Sequence, residues 1–222
     1  MSLLSPATSP RTLGAPATAL WLLVFGATLL WSGIAPHERI TWMLEVAPAV
    51  IAVGVLMATS RRFPLTPLVY WLILAHALIL MVGGHFTYAR VPAFDWLRDA
   101  LELSRNHYDR LGHFFQGLVP AMVAREVLLR ASPLGRNRWL PFLVTCFCLA
   151  VSACYELIEW WVALLSAEGA ESFLGTQGDV WDTQADMFMC LLGALTALLT
   201  LSRLHDRQLA RNALLVAGQG DR

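Results

Sequence analysis

Six apolar runs, each about as long as a bilayer is thick, leave this chain few ways to fold. A membrane span needs about 20 mostly apolar residues. Runs that meet this requirement cover roughly 17–36, 40–59, 66–87, 107–128, 139–165 and 180–202. Breaks fall at Pro36-His37-Glu38-Arg39, Arg61-Arg62-Phe63-Pro64, the polar stretch 88–106, Ser132-Pro133-Leu134-Gly135-Arg136 and the Gly/Glu-rich 167–178, where turn chemistry places them. The composition agrees. Hydrophobic residues make up 57% and charged residues 14%, against about 25% charged in a soluble domain, and the mean hydropathy is +0.56. The expected fold is therefore all-α, a single polytopic bundle of about six transmembrane helices over residues 1–222. Residues 1–16 read as a flexible tail and 204–222 as a short cytoplasmic tail. The first run is long, lacks a clear small-x-small cleavage site and is followed by further spans, so it reads as an uncleaved helix.

Charge placement orients the bundle. All 16 cations are Arg and there is no Lys. With an even number of spans, one side carries eleven Arg against Glu126, Asp206 and Asp221, a formal +8, and the other carries five Arg against thirteen acids, a formal −8. The positive-inside rule places the first side, with both termini, in the cytoplasm. The zero net charge leaves no basic excess to displace phosphate counterions, so no nucleic-acid partner is expected. The missing Lys excludes P-loop and Schiff-base chemistry. His37-Glu38-Arg39-Ile40-Thr41 lacks the second His of a zinc-protease helix, and neither a GxSxG turn nor a dinucleotide GxGxxG occurs. Cys146, Cys148, Cys154 and Cys190 lie in apolar runs without metal-type spacing and read as small buried hydrophobes.

The ionisable residues of the later spans gather toward the acidic side. His85 ends the third run, His107, Asp109, Arg110 and His113 open the fourth, Glu156 and Glu159 lie late in the fifth, and Asp179, Asp182 and Asp186 open the sixth. Asp109 and His113 are four apart, Glu156 and Glu159 three apart, and the three Asp fall at i, i+3 and i+7, so each set shares a helix face. Carboxylates that converge cannot all stay ionised without a cation, a proton or an Arg. Asp109, His113, Glu156, Asp182 and Asp186 are candidate ligands for a divalent metal; oxygen-rich sets suit Mg, Ca or Mn, and imidazole admits Zn. His113, Asp109, Arg110, Glu156, Glu159 and Asp182 are the candidate catalytic residues, with His113 or a carboxylate as acid–base. Three functions fit: a metal-dependent enzyme on a lipid or cell-envelope small molecule, a proton- or ion-coupled transporter, and a binding or assembly protein whose polar network only pins helices. The transporter reading is opposed by the near absence of ionisable residues in the other half of the bundle. Glu45 and His76 read as isolated singletons, and His205 as a tail residue without a role.

Three blocks carry a resemblance. They are Tyr108-Asp109-Arg110-Leu111-Gly112-His113-Phe114-Phe115-Gln116-Gly117, Tyr155-Glu156-Leu157-Ile158-Glu159-Trp160, and Leu174-Gly175-Thr176-Gln177-Gly178-Asp179-Val180-Trp181-Asp182-Thr183-Gln184-Ala185-Asp186-Met187. With His85-Phe86-Thr87-Tyr88 and Val91-Pro92, they resemble the signature of the YjdF family over about residues 40–205. The resemblance implies a multi-pass protein of the bacterial inner membrane and assigns no catalytic residues. The layout Asp109-Arg110-x-x-His113, a Glu-bearing helix and a late Asp-bearing helix is also similar to VanZ-like membrane proteins, which are linked to glycopeptide-antibiotic resistance. Here Arg110 stands where that pattern has Lys, and Trp160 where it has Gln.

Overall fold

The computed structural model describes residues 12–165 and 176–220. Eight helices are present among them: α1 (Ala15–Gly33), α2 (Arg39–Thr59), α3 (Pro67–Phe86), α4 (Pro92–Ala100), α5 (Tyr108–Ala131), α6 (Trp139–Leu165), α7 (Asp182–Thr200) and α8 (Ser202–Gly220). The six expected spans are α1, α2, α3, α5, α6 and α7, with ends within a few residues of the apolar runs. Proline at the first turn starts α1, α3 and α4, where its missing N–H costs nothing. Arg11, Glu168, Glu171, Leu174, Gly175, Asp221, Arg222 and most of the N-terminal tail lie outside the described residues.

Five helices, α1, α2, α3, α6 and α7, are long and apolar enough to cross a membrane. Only 17% of the apolar window of α1, and the same share of α6, is buried inside the protein. Leu23, Leu30, Ile40, Ile51, Met57 and Leu199 are more than 60% exposed. In water this would be an apolar patch of aggregating size; in a bilayer it is the lipid-facing surface. The fourth run, α5, is as long at 24 residues, about 36 Å of rise, but carries Asp109, Arg110, Arg125, Glu126 and Arg130. It tolerates them because it is the axis of the bundle, packed by α3, α6 and α7, and eleven of its residues are buried.

Glycine sets the closest contact. A Cβ on Gly117 of α5 would lie 1.8 Å from the carbonyl oxygen of Cys190, and one on Gly193 of α7 would lie 1.9 Å from that of Phe114. The backbones of α5 and α7 therefore touch, as small residues permit between membrane helices. A second slot holds an aromatic ring. Thr87 (φ 61°) and Tyr88 (φ 49°) are both left-handed, which is costly for residues with a Cβ. The turn tucks the Tyr88 ring between Gly83 and Gly112, each too close to it to carry a side chain without a shift.

Two segments depart from the sequence reading. The stretch 88–106 is not only a polar break, since it contains α4. The residues after 204, read as a short tail, are helical: α8 continues almost directly from α7. His205 is completely buried. Its Nδ1 accepts from Arg125 Nη1 at 2.9 Å, because an Arg can only donate, so Nε2 donates to Glu126 Oε2 at 3.0 Å. The half of the bundle that looked bare thus holds a buried network. Glu126, also fully buried, accepts from the Thr66 backbone N–H at 3.0 Å, the Thr66 hydroxyl at 2.7 Å and Arg130 at 2.6 Å.

Asp206 fastens the same joint, accepting from Arg125 at 2.8 Å and Arg136 at 2.9 Å. Burial alone would raise its carboxyl, but the hydrogen bonds and charges of Arg125 and Arg136 outweigh this and hold it below the ordinary value. A depressed carboxyl supports the docked helix above its unfolded pKa and loses that support as pH falls through the folded one. Protection of the α8 amides, taken as the ratio of the intrinsic to the observed exchange rate at each pH, is therefore expected to fall at about pH 3 relative to neutral pH, and Asp206→Ala should show the lowered protection at both. Equal exchange in wild type and variant at neutral pH would mean that Asp206 does not fasten α8.

Candidate functional site

At the end of the bundle where α5 and α7 begin, the side chains expected to converge do so in two adjoining groups. Asp109 and His113, one turn apart on α5, meet Asp186 of α7. One ligand atom from each of the three lies within 4.8 Å of the others, and the same holds for His113, Glu156 and Glu159. The Gly117–Gly193 contact brings α7 near enough for this. His113 is 4% exposed, Asp186 2% and Glu159 8%.

The hydrogen bonds orient the imidazole. His113 Nδ1 lies 3.1 Å from Gln116 Oε1 and 3.8 Å from Glu156 Oε1, both acceptors. A proton on Nδ1 is donated to Gln116 Oε1 and leaves the Nε2 lone pair facing Asp109 Oδ1 at 3.6 Å. Two acceptors then face one another with nothing to donate between them. Asp186 Oδ1 is buried with no hydrogen-bond partner among the described residues, as is Glu156 Oε1. Buried acceptors of this kind are costly unless a proton or a cation compensates them. Two carboxylates and an imidazole held by an outer hydrogen bond are a donor set that suits a divalent ion.

The structure separates the other predicted residues from this group. Asp182 is taken up by Arg105, a buried residue whose guanidinium also lies 3.5 Å from Asp179 and 3.8 Å from Asp109. Arg110 pairs with Asp179 at 2.7 Å. Asp179 also receives the Trp181 N–H at 3.0 Å, and that bond together with Arg110 and Arg105 holds its carboxyl below the ordinary value. Arg110 and Asp182 therefore form a charged cap over the site. A reciprocal amide pair closes it, with the Asn106 N–H donated to Gln177 Oε1 at 3.0 Å and Gln177 Nε2 donating to the Asn106 carbonyl at 2.9 Å. His107, at the start of α5, has its imidazolium disfavoured first by burial and then by Arg110 and Arg105. His85 is not part of the group. It stacks on Trp31 and its Nδ1 lies 3.0 Å from the Ser32 carbonyl oxygen.

A cavity of about 630 Å³ opens from Asp109 and His113 and runs between α2, α3, α5 and α6. Its size is typical of ligand pockets, which are about 300–1,000 Å³. Glu45, taken from the sequence as an isolated singleton, lies at its polar end and accepts from the Tyr155 hydroxyl at 2.9 Å. His76 lines it as well, and so do Pro48 and Pro120, each of which deprives its helix of one hydrogen bond. Arg105, Gln116 and Tyr155 were not singled out by sequence, and Glu45 was set aside. Arg105 had a signal, its i, i+4 spacing to Asp109. Glu45 had none, because its hydrogen-bond partner Tyr155 comes from α6.

Comparison with known proteins agrees with this architecture. Residues 17–207 match the family described as predicted membrane protein, DUF2238. The chain belongs to that family. It is 55% identical over 206 residues, 93% of its own length and 96% of the relative's, to the inner membrane protein YjdF of Escherichia coli (strain K12). As a member of DUF2238 with several apolar helices, it is a multi-pass protein of the bacterial inner membrane. No solved structure matches it.

Proposed function

We propose that this protein is a metal-dependent membrane enzyme acting on a lipid or cell-envelope intermediate, with its site toward the extracytoplasmic face. The reading is carried by one observation: Asp109, His113 and Asp186 present ligand atoms within 4.8 Å of one another, and Asp186 Oδ1 is buried without a hydrogen-bond partner among the described residues. Asp109, His113 Nε2 and Asp186 would hold the ion. A divalent cation there supplies Lewis acidity toward a polar group of the substrate. Gln116 fixes the imidazole, and Glu156 and Glu159, next to His113 on α6, are placed to take or return a proton at the reacting group. Arg105, Asp182, Asp179 and Arg110 keep bulk water off this end, and the cavity supplies an apolar berth. The positive-inside assignment, with both termini cytoplasmic, sets the facing of the site.

Transport fits less well. The Glu126–His205 network supplies ionisable groups in the other half of the bundle, but between Gln116 and Arg125 the cavity-lining residues of α5 are Val119, Pro120 and Val123. From Gln116 to Arg125 the helix rises about 13 Å, and these three supply no group to pass a proton.

Metal analysis of detergent-purified protein after manganese or zinc loading tests the enzyme reading. About one ion per chain is expected, falling by at least about tenfold in affinity in Asp186→Asn with thermal unfolding little changed. Wild-type protein that retains no ion, or an Asp186→Asn variant that binds as tightly, would overturn it.

A further inference from the structure

The cavity is closed at one end and open along its flank at the other. Glu45 is 5% exposed, His113 4% and Glu159 8%, whereas Val55 is 54%, Val127 41% and Phe147 47% exposed, and all six line the same space. The three exposed residues come from α2, α5 and α6, and their outward side is the lipid-facing surface. The walls are α2 and α6, joined near the polar end by the Tyr155–Glu45 hydrogen bond, and the floor is α3 and α5. From Glu45 to Thr59 the α2 wall alone runs about 21 Å. The far end is stopped by the Phe63 ring, with the Arg130 guanidinium 3.9 Å from its centroid.

The polar end is rich in acceptors. Glu45, Asp109 and Glu159 line it with Gln116, His113, Tyr88 and Tyr155, and among the described residues no Arg lines the cavity. A carboxyl group accepts hydrogen bonds whether or not it is ionised, and the Tyr155 hydroxyl is already donated to Glu45. A head that donates is complementary to this lining, whereas a carboxylate head brings acceptors alone.

We propose that the groove takes one long alkyl or isoprenoid chain of a membrane lipid, entering sideways from the bilayer between α2 and α6, and that its terminal hydrogen-bond donor, an alcohol or an amine, is received by Glu45 and Glu159. This names the substrate class for the site above and rests on that reading for the chemistry that follows binding.

The test is equilibrium binding of radiolabelled hexadecanol, hexadecylamine and hexadecanoic acid to the purified full chain. Saturable binding is expected, with the alcohol or the amine at least about tenfold tighter than the acid; which of the two is preferred tells a lipid alcohol from an aminolipid. Ala52→Phe and Val151→Phe fill the groove from opposite walls and are each expected to weaken binding about tenfold, whereas Ile51→Phe, on the lipid-facing side of α2, leaves it unchanged. No saturable binding, an acid bound as tightly as the other two, or groove-filling variants that bind like wild type would overturn the proposal. If one filled variant yields no folded protein, the other reads the groove, and the head preference is read on wild type alone. Probe binding by protein that takes up no divalent metal would keep this inference and sink the metal reading; metal uptake without probe binding would do the reverse.

Discussion

Gly117→Ala is expected to yield little or no folded protein. The added methyl would sit 1.8 Å from the Cys190 carbonyl oxygen and 2.9 Å from the Ala194 nitrogen. Both are backbone atoms of α7, so no rotamer change relieves the clash, and the two helices must separate. Overpacking of a core costs about 1–3 kcal/mol when side chains can adjust, and a backbone clash belongs at or beyond the upper end. Gly193→Ala meets the same obstacle from the other helix, 1.9 Å from the Phe114 carbonyl oxygen. Gly26→Ala and Gly54→Ala, with nothing within 4 Å of the added atom, are the controls. Monodisperse yield and thermal unfolding in detergent provide the measurement. A Gly117→Ala protein as stable as the Gly54→Ala control would show that α5 and α7 do not meet through their backbones.

Glu126→Ala is expected to be the most damaging change at the opposite end. One carboxylate there serves the Thr66 N–H, the Thr66 hydroxyl, Arg130 and His205. Removing it strands donors on α3 and α8 inside the protein, next to the buried Arg125. Breaking a buried charged network by deleting one partner costs about 3–5 kcal/mol. Asp99→Ala, which breaks the exposed pair with Arg98 at 2.9 Å, is expected to leave the unfolding temperature close to that of wild type. The comparison is made by thermal unfolding of both variants with wild type, and comparable losses in the two would mean that burial does not set the difference.

The spans were legible because each is a long apolar run, and lipid-facing helices cannot hide that pattern. The acidic convergence was legible because Asp109 and His113 share one helical face and Asp186 opens the facing helix. What escaped has a common physical cause. His205 and Glu126 looked unremarkable because α8 continues beyond α7 in a segment too polar to read as a span, and only its docking buries them. Glu45 lies on a helix with no other acid in its interior, and its role depends on Tyr155, 110 positions away. Asp182 carried the right residue type at the right spacing, but Arg105 reaches it first. Spacing within a helix is local information; which cation claims which carboxylate is decided between helices.

The Gly117–Gly193 contact also governs how the protein can deform. Parting α5 from α7 breaks backbone contact along a seam with no side chains to bend, and Asn106 and Gln177 clamp the same pair of elements across the cap. The α2 wall is held differently, by side chains of α1 and α3 in one apolar cluster, by the Trp42–Ser32 hydrogen bond to α1 and by the Tyr155–Glu45 bond across the groove. The bundle is therefore stiff on one side and compliant on the other. A guest wider than the groove displaces α2 before it disturbs the helices that carry Asp109, His113 and Asp186.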